Sequence, residues 1–462
     1  MILDIEVKPG SLRISYFDTN GEIAMKDIWL KKEEQFNWKL CSQWDADVDK
    51  TIKSWNGQPV KKEPTNRVNK YRVEEILQSR GDSIAELREF VMPKKHFIDI
   101  ETEVIDGFPE PETALNRVLS ISIANDQHRV FVLGLDDFSD EQSAACEQRI
   151  NEHFKKFDEK WTFQYIKFES EYDMLYTFMT KLIHKMHCIT GWNVIDYDWT
   201  YLVNRCERLK IHPEQSSTSG KLITKRSLPQ HRLIVDYMEI YKKWDRSIKI
   251  KESNKLDYVG EQAVGINKIK YNGPLKDLYA KDFFSFVLYN AIDSAMIYYI
   301  DRKLCTMTTF LKLAHVAQVE VNKAFSPIWT MEAWMTREFL KMGKVFTDID
   351  KEGRETRDFE GAYVKDPIIG LHEYVTCYDF ASLYPNTMMQ FNISPEAFIG
   401  KVDKNYVLKP GEILTANSTV FDNREDSVLR KILNDLYGRR KATKQIYLSA
   451  AKEIDRLEKI LG

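Results

Sequence analysis

Alternating apolar and polar residues in the first third of the chain predict strands, and apolar residues at helical spacing predict helices after them. Within residues 1–92 the alternating runs Leu12–Phe17 and Asp27–Leu30 are short and are separated by turns. A Pro-Lys-Lys break at 93–95 precedes a new apolar strand, so we expect a domain boundary there. The pattern that follows predicts mixed α/β structure, with strands at 96–104, 118–123 and 129–134 and helices at 139–156, 170–188, 198–209, 281–303 and 306–323.

Three further segments depart from this pattern. Gln215–His231 is rich in Ser, Lys and Arg, which predicts a loop or a short hairpin. The apolar run Glu373–Tyr378 predicts another strand. From Arg424 onward no proline occurs, and helical spacing is kept by Val428, Leu429, Ile432, Leu433 and Leu436. These residues predict one long terminal helix, which Gly438 weakens.

Composition mainly excludes classes of protein. A chain of 462 residues is too long for one compact core, so two to four domains are expected. A net charge of −3 gives no overall basic surface, so any contact with nucleic acid needs locally concentrated positive charge. Six scattered cysteines without a Cys-x-x-Cys pair argue against zinc and against disulfides. We see no signal-peptide pattern and no apolar run of membrane-spanning length, so a cytosolic protein without a membrane partner is expected.

The strand at 96–104 carries the first candidate chemistry. Side chains alternate along a strand, so Asp99 and Glu101 share one face with Phe97, whereas Ile98 and Ile100 face a core. Two carboxylates on a rigid strand supply the hard oxygen ligands that Mg²⁺ and Mn²⁺ prefer. Taken alone, such a pair is more often an ordinary surface feature.

Two later motifs carry further acids. Asp198 follows Gly191-Trp192-Asn193 at the start of a predicted helix, where an Asp is ordinarily an N-cap. Asp293 lies one turn after Tyr289 in another predicted helix, so the phenol and the carboxylate project from one face. A surface position on that helix explains Asp293 equally well. Each motif taken singly therefore favours an ordinary structural role.

The order and content of the three motifs together resemble those of DnaQ-like 3′→5′ exonuclease domains, and more closely those of family B DNA polymerases. The resemblance implies an RNase-H-like domain in which two Mg²⁺ ions, replaceable by Mn²⁺, are held by Asp99, Glu101, Asp198 and Asp293. It also implies that Tyr289 positions the attacking water. Two cations suit phosphodiester hydrolysis because they activate water and stabilise the leaving 3′-oxygen. We do not expect the nearby acids Glu103, Asp106 and Asp196 to bind metal, since Glu103 lies one step beyond the first motif and Asp196 occupies a variable position within the second.

A separate string, Asp379–Pro385, follows the predicted strand at 373–378. A strand-to-helix turn with an early proline explains its outline. Its content resembles motif A of family B polymerases, Asp-x-x-Ser-Leu-Tyr-Pro, which implies that Asp379 binds the catalytic Mg²⁺ ions. The same resemblance implies that the backbone from Ser382 through Leu383 to Tyr384 holds the incoming triphosphate. The Tyr384 ring would pack under the deoxyribose and exclude a 2′-hydroxyl.

The terminal helix carries a basic turn, which is most often a solvated face. The string Arg439–Lys444 resembles the first fingers helix of family B polymerases. This resemblance implies that Arg440 and Lys444 bind the triphosphate. For Arg439 and Lys441 we keep the solvated interpretation. Other strings match family B or its T-even phage members: Asp106–Pro111, Leu256–Tyr258, Lys270–Pro274, Gly361–Val364 and Asn392–Glu396. In the T-even members, the place of the short segment 215–231 is taken by an extended hairpin that helps to separate the strands.

The strings typical of the second fingers helix and of the Asp-Thr-Asp palm strand do not occur. We therefore expect the N-terminal subunit of a split, T-even-like phage polymerase, working in the cytoplasm of a bacterial host. Its partners would be primer-template and single-stranded DNA, dNTPs, a second chain bearing the remaining palm, fingers and thumb, and a sliding clamp bound through that chain. The expected fold is α/β and multi-domain: an N-terminal α+β domain at 1–92 completed by 306–348, an exonuclease domain at 93–305, an incomplete palm at 349–424 and a fingers helix at 425–462.

Three other interpretations stay open. The chain is a stand-alone single-strand 3′→5′ exonuclease if no second chain co-purifies with it. It is a nucleic-acid-binding regulatory protein if its N-terminal region binds RNA, although the basic stretch Lys61-Lys62 is short. It is a part of a one-chain polymerase if the missing motifs continue in the same reading frame.

Overall fold

The computed structural model describes residues 1–105, 107–223, 226–248, 251–271, 273–347 and 363–461. The chain forms two compact units, and each unit is built from two separate segments. Unit 1 comprises Met1–Leu30 and Arg80–Ala333. Unit 2 comprises Lys31–Ser79 and Trp334–Gly462.

In the described residues, six strands at 2–64 come first and six helices follow one another within 237–341, whereas strands and helices are mixed elsewhere. The strands are β1 (Ile2–Lys8), β2 (Ser11–Phe17), β3 (Ile23–Trp29), β4 (Phe36–Leu40), β5 (Val48–Ser54), β6 (Pro59–Pro64), β7 (Lys95–Thr102), β8 (Val118–Asn125), β9 (Arg129–Gly134), β10 (Thr162–Lys167), β11 (Cys188–Gly191), β12 (Leu222–Ile223), β13 (Leu228–Pro229), β14 (Leu233–Asp236), β15 (Lys344–Val345), β16 (Phe398–Lys401), β17 (Glu412–Leu414) and β18 (Thr419–Asp422). The helices are α1 (Lys70–Ser79), α2 (Asp140–His153), α3 (Glu171–Thr177), α4 (Thr200–Arg208), α5 (Tyr237–Trp244), α6 (Leu256–Val264), α7 (Leu275–Lys281), α8 (Phe283–Leu304), α9 (Thr306–Ala317), α10 (Pro327–Lys341), α11 (Leu383–Gln390) and α12 (Val428–Leu461).

The main sheet of unit 1 has six strands in the order β10-β9-β8-β7-β11-β14. Strands β7, β8 and β9 pair antiparallel, whereas β11 runs parallel to both β7 and β14, and β10 runs parallel to β9. Ile98 and Ile100 of β7 are buried in one apolar core together with Trp199. The prediction that Ile98 and Ile100 face a core is therefore confirmed, and this alternation directs Asp99 and Glu101 to the opposite face.

Helix α8 is buried around most of its circumference and packs on β7 and β8. Among the described helices, it is the one that is long and apolar enough to cross a membrane, so the expectation that no apolar run approaches that length is wrong. However, 72% of its apolar window is buried inside the protein. The apolar surface of α8 thus packs against the sheet, as is typical of a core helix.

Several predicted helices are interrupted. The helix expected at 170–188 is α3 followed by a π turn at Phe178–Leu182 and a 3-10 turn at Ile183–Lys185. The helix expected at 306–323 ends at Ala317, because Gln318 takes a left-handed conformation with φ of 51°. The segment 215–231 contains a short antiparallel pair, β12 with β13, so the predicted hairpin is confirmed.

Unit 2 contains a four-stranded sheet in the order β15-β5-β6-β4 and a three-stranded sheet in the order β16-β18-β17. The first sheet buries Phe36, Trp38 and Val60 against Val345. Phe346 then stacks on the ring of Tyr71, with the ring centroids 5.1 Å apart. Residues from both segments of the unit therefore share one small core.

The strand predicted at 373–378 is wrong. Residues 363–381 form neither helix nor strand, and the side chains at 371–380 are exposed. A strand needs a hydrogen-bonding neighbour, and no described strand pairs with this segment. In contrast, the predicted terminal helix is confirmed as α12, which continues through Gly438. Its first turns bury Val428 and Ile432, whereas Ile446, Leu448 and Ile454 beyond Gly438 are exposed.

Candidate active site

Three carboxylates from two elements converge in unit 1. Asp99 and Glu101 lie in the second half of β7, and Asp293 lies on α8, which crosses that strand. One oxygen of each carboxylate lies within 4.8 Å of an oxygen of the other two. Glu101 and Asp293 are buried, with 8% and 1% of their surface exposed. The fold thus brings the first and third acidic motifs into one cluster.

Asp198 lies beside this cluster but does not join the group of three oxygens. Its Oδ1 accepts a hydrogen bond from the backbone N–H of Ile100 at 2.9 Å. The ordinary N-cap role is wrong, because Asp198 lies inside the π turn Ile195–Trp199 and its side chain caps neither that turn nor α4. The second motif is therefore anchored to β7 through the backbone of the first.

Gly191 explains how the second motif comes so close to β7. A Cβ atom at this position would lie 2.5 Å from the carbonyl oxygen of Ile98, which no side chain tolerates. Two residues later Asn193 adopts φ of 64°, a left-handed conformation in which Asn is enriched. The glycine therefore allows close strand packing, and the asparagine allows the turn that leads to Asp198.

Lys268 places a positive charge in the acidic cluster. Its ammonium pairs with Asp293 and lies 2.9 Å from the Tyr289 hydroxyl. Its backbone N–H donates to Asp257 Oδ1 at 2.6 Å, which fixes the segment that carries it. Burial alone would lower the pKa of Lys268, but the charges of Asp293 and Asp99 raise it. Sequence reasoning missed this residue, although it singled out the strings on either side of it.

The pKa values of all four motif acids are raised. Burial, followed by the charge of Asp293, raises the pKa of Asp99 to about 7. Burial and then Asp99 and Asp293 raise the pKa of Glu101 well above its usual range. Burial and then Asp99 do the same for the pKa of Asp198, and burial raises the pKa of Asp293 although Lys268 opposes the shift. Such clustered acids are typical of a site that takes additional positive charge.

The cluster fits a hard divalent cation. Asp293 Oδ1 is buried and accepts no hydrogen bond from the described residues. An unpaired buried carboxylate oxygen is costly, and a bound cation removes that cost. Carboxylate oxygens are also the ligands that Mg²⁺ and Mn²⁺ prefer. Asp99, Glu101 and Asp293 are therefore suited to hold such an ion, with Asp198 beside them.

The other nearby acids have different surroundings. Glu103 pairs with Arg117 at 3.0 Å, and this contact holds the pKa of Glu103 below its usual range. Asp196 is exposed and lies 3.4 Å from Arg226. Neither acid belongs to the described cluster, and Asp106 lies outside the described residues.

The motif A string lies in unit 2. Asp379 is exposed and, among the described residues, joins no group of three potential metal ligands. Ser382 adopts φ of 49° immediately before α11, which begins at Leu383. The predicted turn into a helix is therefore confirmed. The Tyr384 side chain is 74% exposed on the first turn of this helix.

The basic turn of α12 is also exposed. Arg440 and Lys444 lie one turn apart on the helix. Arg439 pairs with Asp435 at 3.0 Å, one turn earlier. This pair accounts for Arg439 without a ligand.

Comparison with protein families places these motifs in context. The model of the exonuclease domain of DNA polymerase family B matches residues 58–259, which include Asp99, Glu101 and Asp198. The model of DNA polymerase family B itself matches residues 327–459, which include Asp379 and Lys444. The chain belongs to DNA polymerase family B.

Individual relatives include two phage polymerases. The DNA-directed DNA polymerase of Escherichia phage RB69 is 27% identical over 393 residues, which are 77% of this chain and 42% of that protein. The DNA-directed DNA polymerase of Enterobacteria phage T4 is 24% identical over 507 residues, which are 99% of this chain and 55% of that protein. A DNA polymerase of Archaeoglobus fulgidus is 24% identical over 368 residues, 76% of this chain and 40% of that protein. The chain spans about half the length of the two phage relatives.

Proposed function

We propose that unit 1 is an RNase-H-like 3′→5′ proofreading exonuclease and that unit 2 carries the motif A half of a DNA polymerase site. The observation that carries this proposal is the convergence of Asp99, Glu101 and Asp293, with one Asp293 oxygen unpaired. The domain limits expected from the sequence, with the exonuclease at 93–305, are part of the proposal. The phage relatives favour a phage-encoded protein working in the cytoplasm of a bacterial host.

In the proposed hydrolysis, the four motif acids bind metal and Tyr289 positions the attacking water. When bound, two Mg²⁺ ions would supply an activated water and stabilise the leaving 3′-oxygen. Asp99, Glu101, Asp198 and Asp293 would hold them. Burial raises the pKa of Tyr289, so its phenol keeps its proton and can donate a hydrogen bond to the attacking water. Lys268 holds the Tyr289 hydroxyl and the Asp293 carboxylate in one arrangement.

An exposed aromatic ring beside the site favours a single-stranded substrate. Phe108 is 76% exposed, and its ring centroid lies 5.3 Å from that of Tyr197. The Tyr197 hydroxyl lies 3.3 Å from the Thr102 hydroxyl, one residue after Glu101. Exposed aromatic rings stack on unpaired bases of any sequence. The DNA end entering this site would therefore be unpaired.

The test is degradation of a 5′-labelled single-stranded oligonucleotide with Mg²⁺ or Mn²⁺. The chain should shorten the DNA from its 3′ end, and Asp99→Ala with Glu101→Ala should abolish the reaction because both β7 ligands are lost. Asp196→Ala is the matched control, since Asp196 is an exposed acid outside the cluster, and it should keep near wild-type activity. Near wild-type hydrolysis by the double variant would refute the assignment.

For the polymerase half, we propose that Asp379 holds the catalytic Mg²⁺ ions and that Ser382, Leu383, Tyr384, Arg440 and Lys444 bind the dNTP. A second polypeptide, carrying the remaining fingers, palm and thumb and the contact to a sliding clamp, would complete the site. The exposure of residues 371–380 and of Ile446 and Ile454 on α12 supports a partner that covers them. Two-metal phosphoryl transfer also needs a further carboxylate opposite Asp379.

Assembly gives a direct test of the partner. The chain alone should not extend a primer, and a chain bearing the missing motifs should restore extension when the two are mixed. Residues 425–462 should exchange amide hydrogens rapidly in the free chain and slowly in the complex. Primer extension by the purified chain alone, or equal protection of α12 with and without the partner, would contradict the split arrangement. Exonuclease activity without any co-purifying partner would favour the stand-alone exonuclease instead.

A further inference from the structure

A row of polar side chains interrupts the apolar contact between α8 and β8. Ser120 and Ser122 lie two residues apart on one face of β8, and Asn290 and Ser294 lie one turn apart on α8. All four are buried, with at most 1% of their surface exposed. Buried polar groups need hydrogen-bond partners, so each of them has to be explained by the contact that it makes.

The four residues form two contacts of different kinds. The Ser122 and Ser294 hydroxyls lie 2.5 Å apart, and neither is hydrogen-bonded to an acid among the described residues. Asn290, in contrast, donates from Nδ2 to Asp99 Oδ2 at 2.8 Å. Its Oδ1 accepts a hydrogen bond from the Ser120 hydroxyl at 2.9 Å. Because a carboxylate oxygen only accepts hydrogen bonds, the NH₂ end of the amide is directed towards Asp99, and Oδ1 is left for the Ser120 hydroxyl.

We infer that Asn290 is a positioning residue for the metal-binding carboxylate Asp99 and that Ser120 holds the Asn290 amide in place through its oxygen, an inference that rests on the proposed exonuclease function. The Asn290 donor takes up one oxygen of Asp99 and fixes the plane of the carboxylate. The other oxygen is left for the cation. Hydrogen bonds of this kind to metal ligands orient the ligand, and their loss typically weakens metal binding by roughly tenfold or more.

This role explains why an amide lies buried in the helix–sheet interface at Asn290. An apolar side chain of similar size would pack there without the need for a partner. The amide instead has a hydrogen-bond partner at each end. Its oxygen bonds to Ser120 on β8, and its NH₂ group bonds to Asp99 on β7. The relay from Ser120 through Asn290 to Asp99 thus couples two strands and one helix at the site.

The test measures Mn²⁺ binding to the full chain in the absence of DNA. Electron paramagnetic resonance quantifies the Mn²⁺ that stays free. Asn290→Leu should weaken Mn²⁺ binding by roughly tenfold. Ser120→Ala should weaken it by a smaller factor, because the amide still donates to Asp99 but loses the hydrogen bond that holds its oxygen. The matched control is Ser294→Ala, which removes a buried hydroxyl from the same interface without touching an acid. It should lower thermal stability and leave Mn²⁺ affinity unchanged.

Each outcome decides the inference. Wild-type Mn²⁺ affinity in folded Asn290→Leu would overturn it, as would a loss in Ser294→Ala as large as that in Asn290→Leu. If Asn290→Leu does not fold, the comparison of Ser120→Ala with Ser294→Ala decides, since equal affinities would overturn the relay. If the wild-type chain itself neither binds Mn²⁺ nor hydrolyses DNA, the proposed exonuclease function fails together with the inference. Wild-type binding and hydrolysis with an unaffected Asn290→Leu would refute the positioning role alone.

Discussion

Lys268 and Asp293 form an ion pair within the carboxylate cluster, and the same ammonium contacts the Tyr289 hydroxyl. The pair joins a loop after α6 to the middle of α8, so it fixes two elements as well as two charges. Removing one partner of a buried pair leaves the other charge without compensation. The Lys268 ammonium therefore supplies positive charge to the carboxylate cluster in the metal-free protein.

Replacing Lys268 with Met should destabilise the metal-free protein and reduce exonuclease activity strongly. The loss of the buried pair should cost about 3 kcal/mol, because Asp293 is then left among Asp99 and Glu101. Addition of Mn²⁺ should restore more stability to the variant than it adds to the wild type, because the added charge replaces the ammonium. Urea unfolding with and without Mn²⁺ measures both effects. Lys270→Met is the matched control, since Lys270 is exposed two residues away, and an equal loss there would contradict the ion-pair explanation.

The stability of the metal-free protein should fall as pH rises from about 4 to about 7. Folded Asp99 keeps its proton up to a pKa of about 7, whereas the ordinary value is 3.8. Between these values the folded state binds more protons than the unfolded state, so the free energy of unfolding decreases with rising pH. The raised pKa of Glu101 acts in the same direction. Mg²⁺ should reduce the fall, because it competes with protons for the carboxylates.

Urea midpoints across this pH range, with EDTA or with Mg²⁺, measure the effect. A variant with Asp99→Asn and Glu101→Gln should show a flatter dependence. The variant also separates the acids from His96, because burial lowers the pKa of that ring to about 4 and its contribution has the opposite sign. A slope unchanged by the two substitutions would show that other groups cause it.

Glu6→Gln should loosen the hairpin formed by β12 and β13. The buried Glu6 carboxylate accepts a hydrogen bond from Lys221 Nζ at 2.6 Å and lies 3.4 Å from His231 Nε2, so one side chain contacts both ends of the hairpin. Loss of a hydrogen bond to a charged group should speed amide exchange at 221–231 roughly tenfold. Hydrogen exchange with mass spectrometry measures this. Asp27→Asn is the control, since it breaks an exposed pair with Arg13 on the adjacent sheet and should leave hairpin exchange unchanged.

Tyr384→Ala should affect sugar selection only in an assembled polymerase. Removal of the ring under the deoxyribose should allow more ribonucleotide incorporation, and the exonuclease rate should stay the same because Tyr384 belongs to a different unit from Asp99. Primer extension with matched rNTP and dNTP pairs measures the ratio. Asn386→Ser, at a half-buried position two residues further along α11, serves as the control. Unchanged sugar selectivity in Tyr384→Ala would refute the steric role.

The sequence predicted those parts of the site that depend on local geometry. Alternation along β7 placed Asp99 and Glu101 opposite Ile98 and Ile100, because a two-residue period needs no knowledge of the neighbours. Helical spacing placed Tyr289 and Asp293 on one face of α8 for the same reason. Local spacing could not predict Lys268 or Asn290, whose roles come from contacts between distant segments. The signal that was available for Asn290 was a polar residue between apolar neighbours, one residue after Tyr289 of the third motif.

Two interpretations that the structure overturns, the strand at 373–378 and the N-cap role of Asp198, share a physical cause. The segment 373–378 has the composition of a strand, but strand formation depends on a neighbour that provides hydrogen bonds, and no described strand does so. The N-cap interpretation of Asp198 used a valid local preference, which the contact with the Ile100 amide overrides. Both errors arose where tertiary contacts, rather than propensity, determine the outcome.

Unit 2 is built from two segments that are far apart in the sequence, and this has a consequence for synthesis on the ribosome. The sheet formed by β4, β5 and β6 gains its last strand, β15, only after the whole second segment of unit 1 has been made. Phe346, which stacks on Tyr71, is made at the same late stage. About 250 residues separate the two parts, which at roughly 5 to 20 residues per second corresponds to roughly 10 to 50 seconds of translation. During that interval Phe36 and Trp38 lack the strand that covers them. The nascent chain therefore offers an early apolar segment to chaperones, and slower elongation should lengthen that exposure.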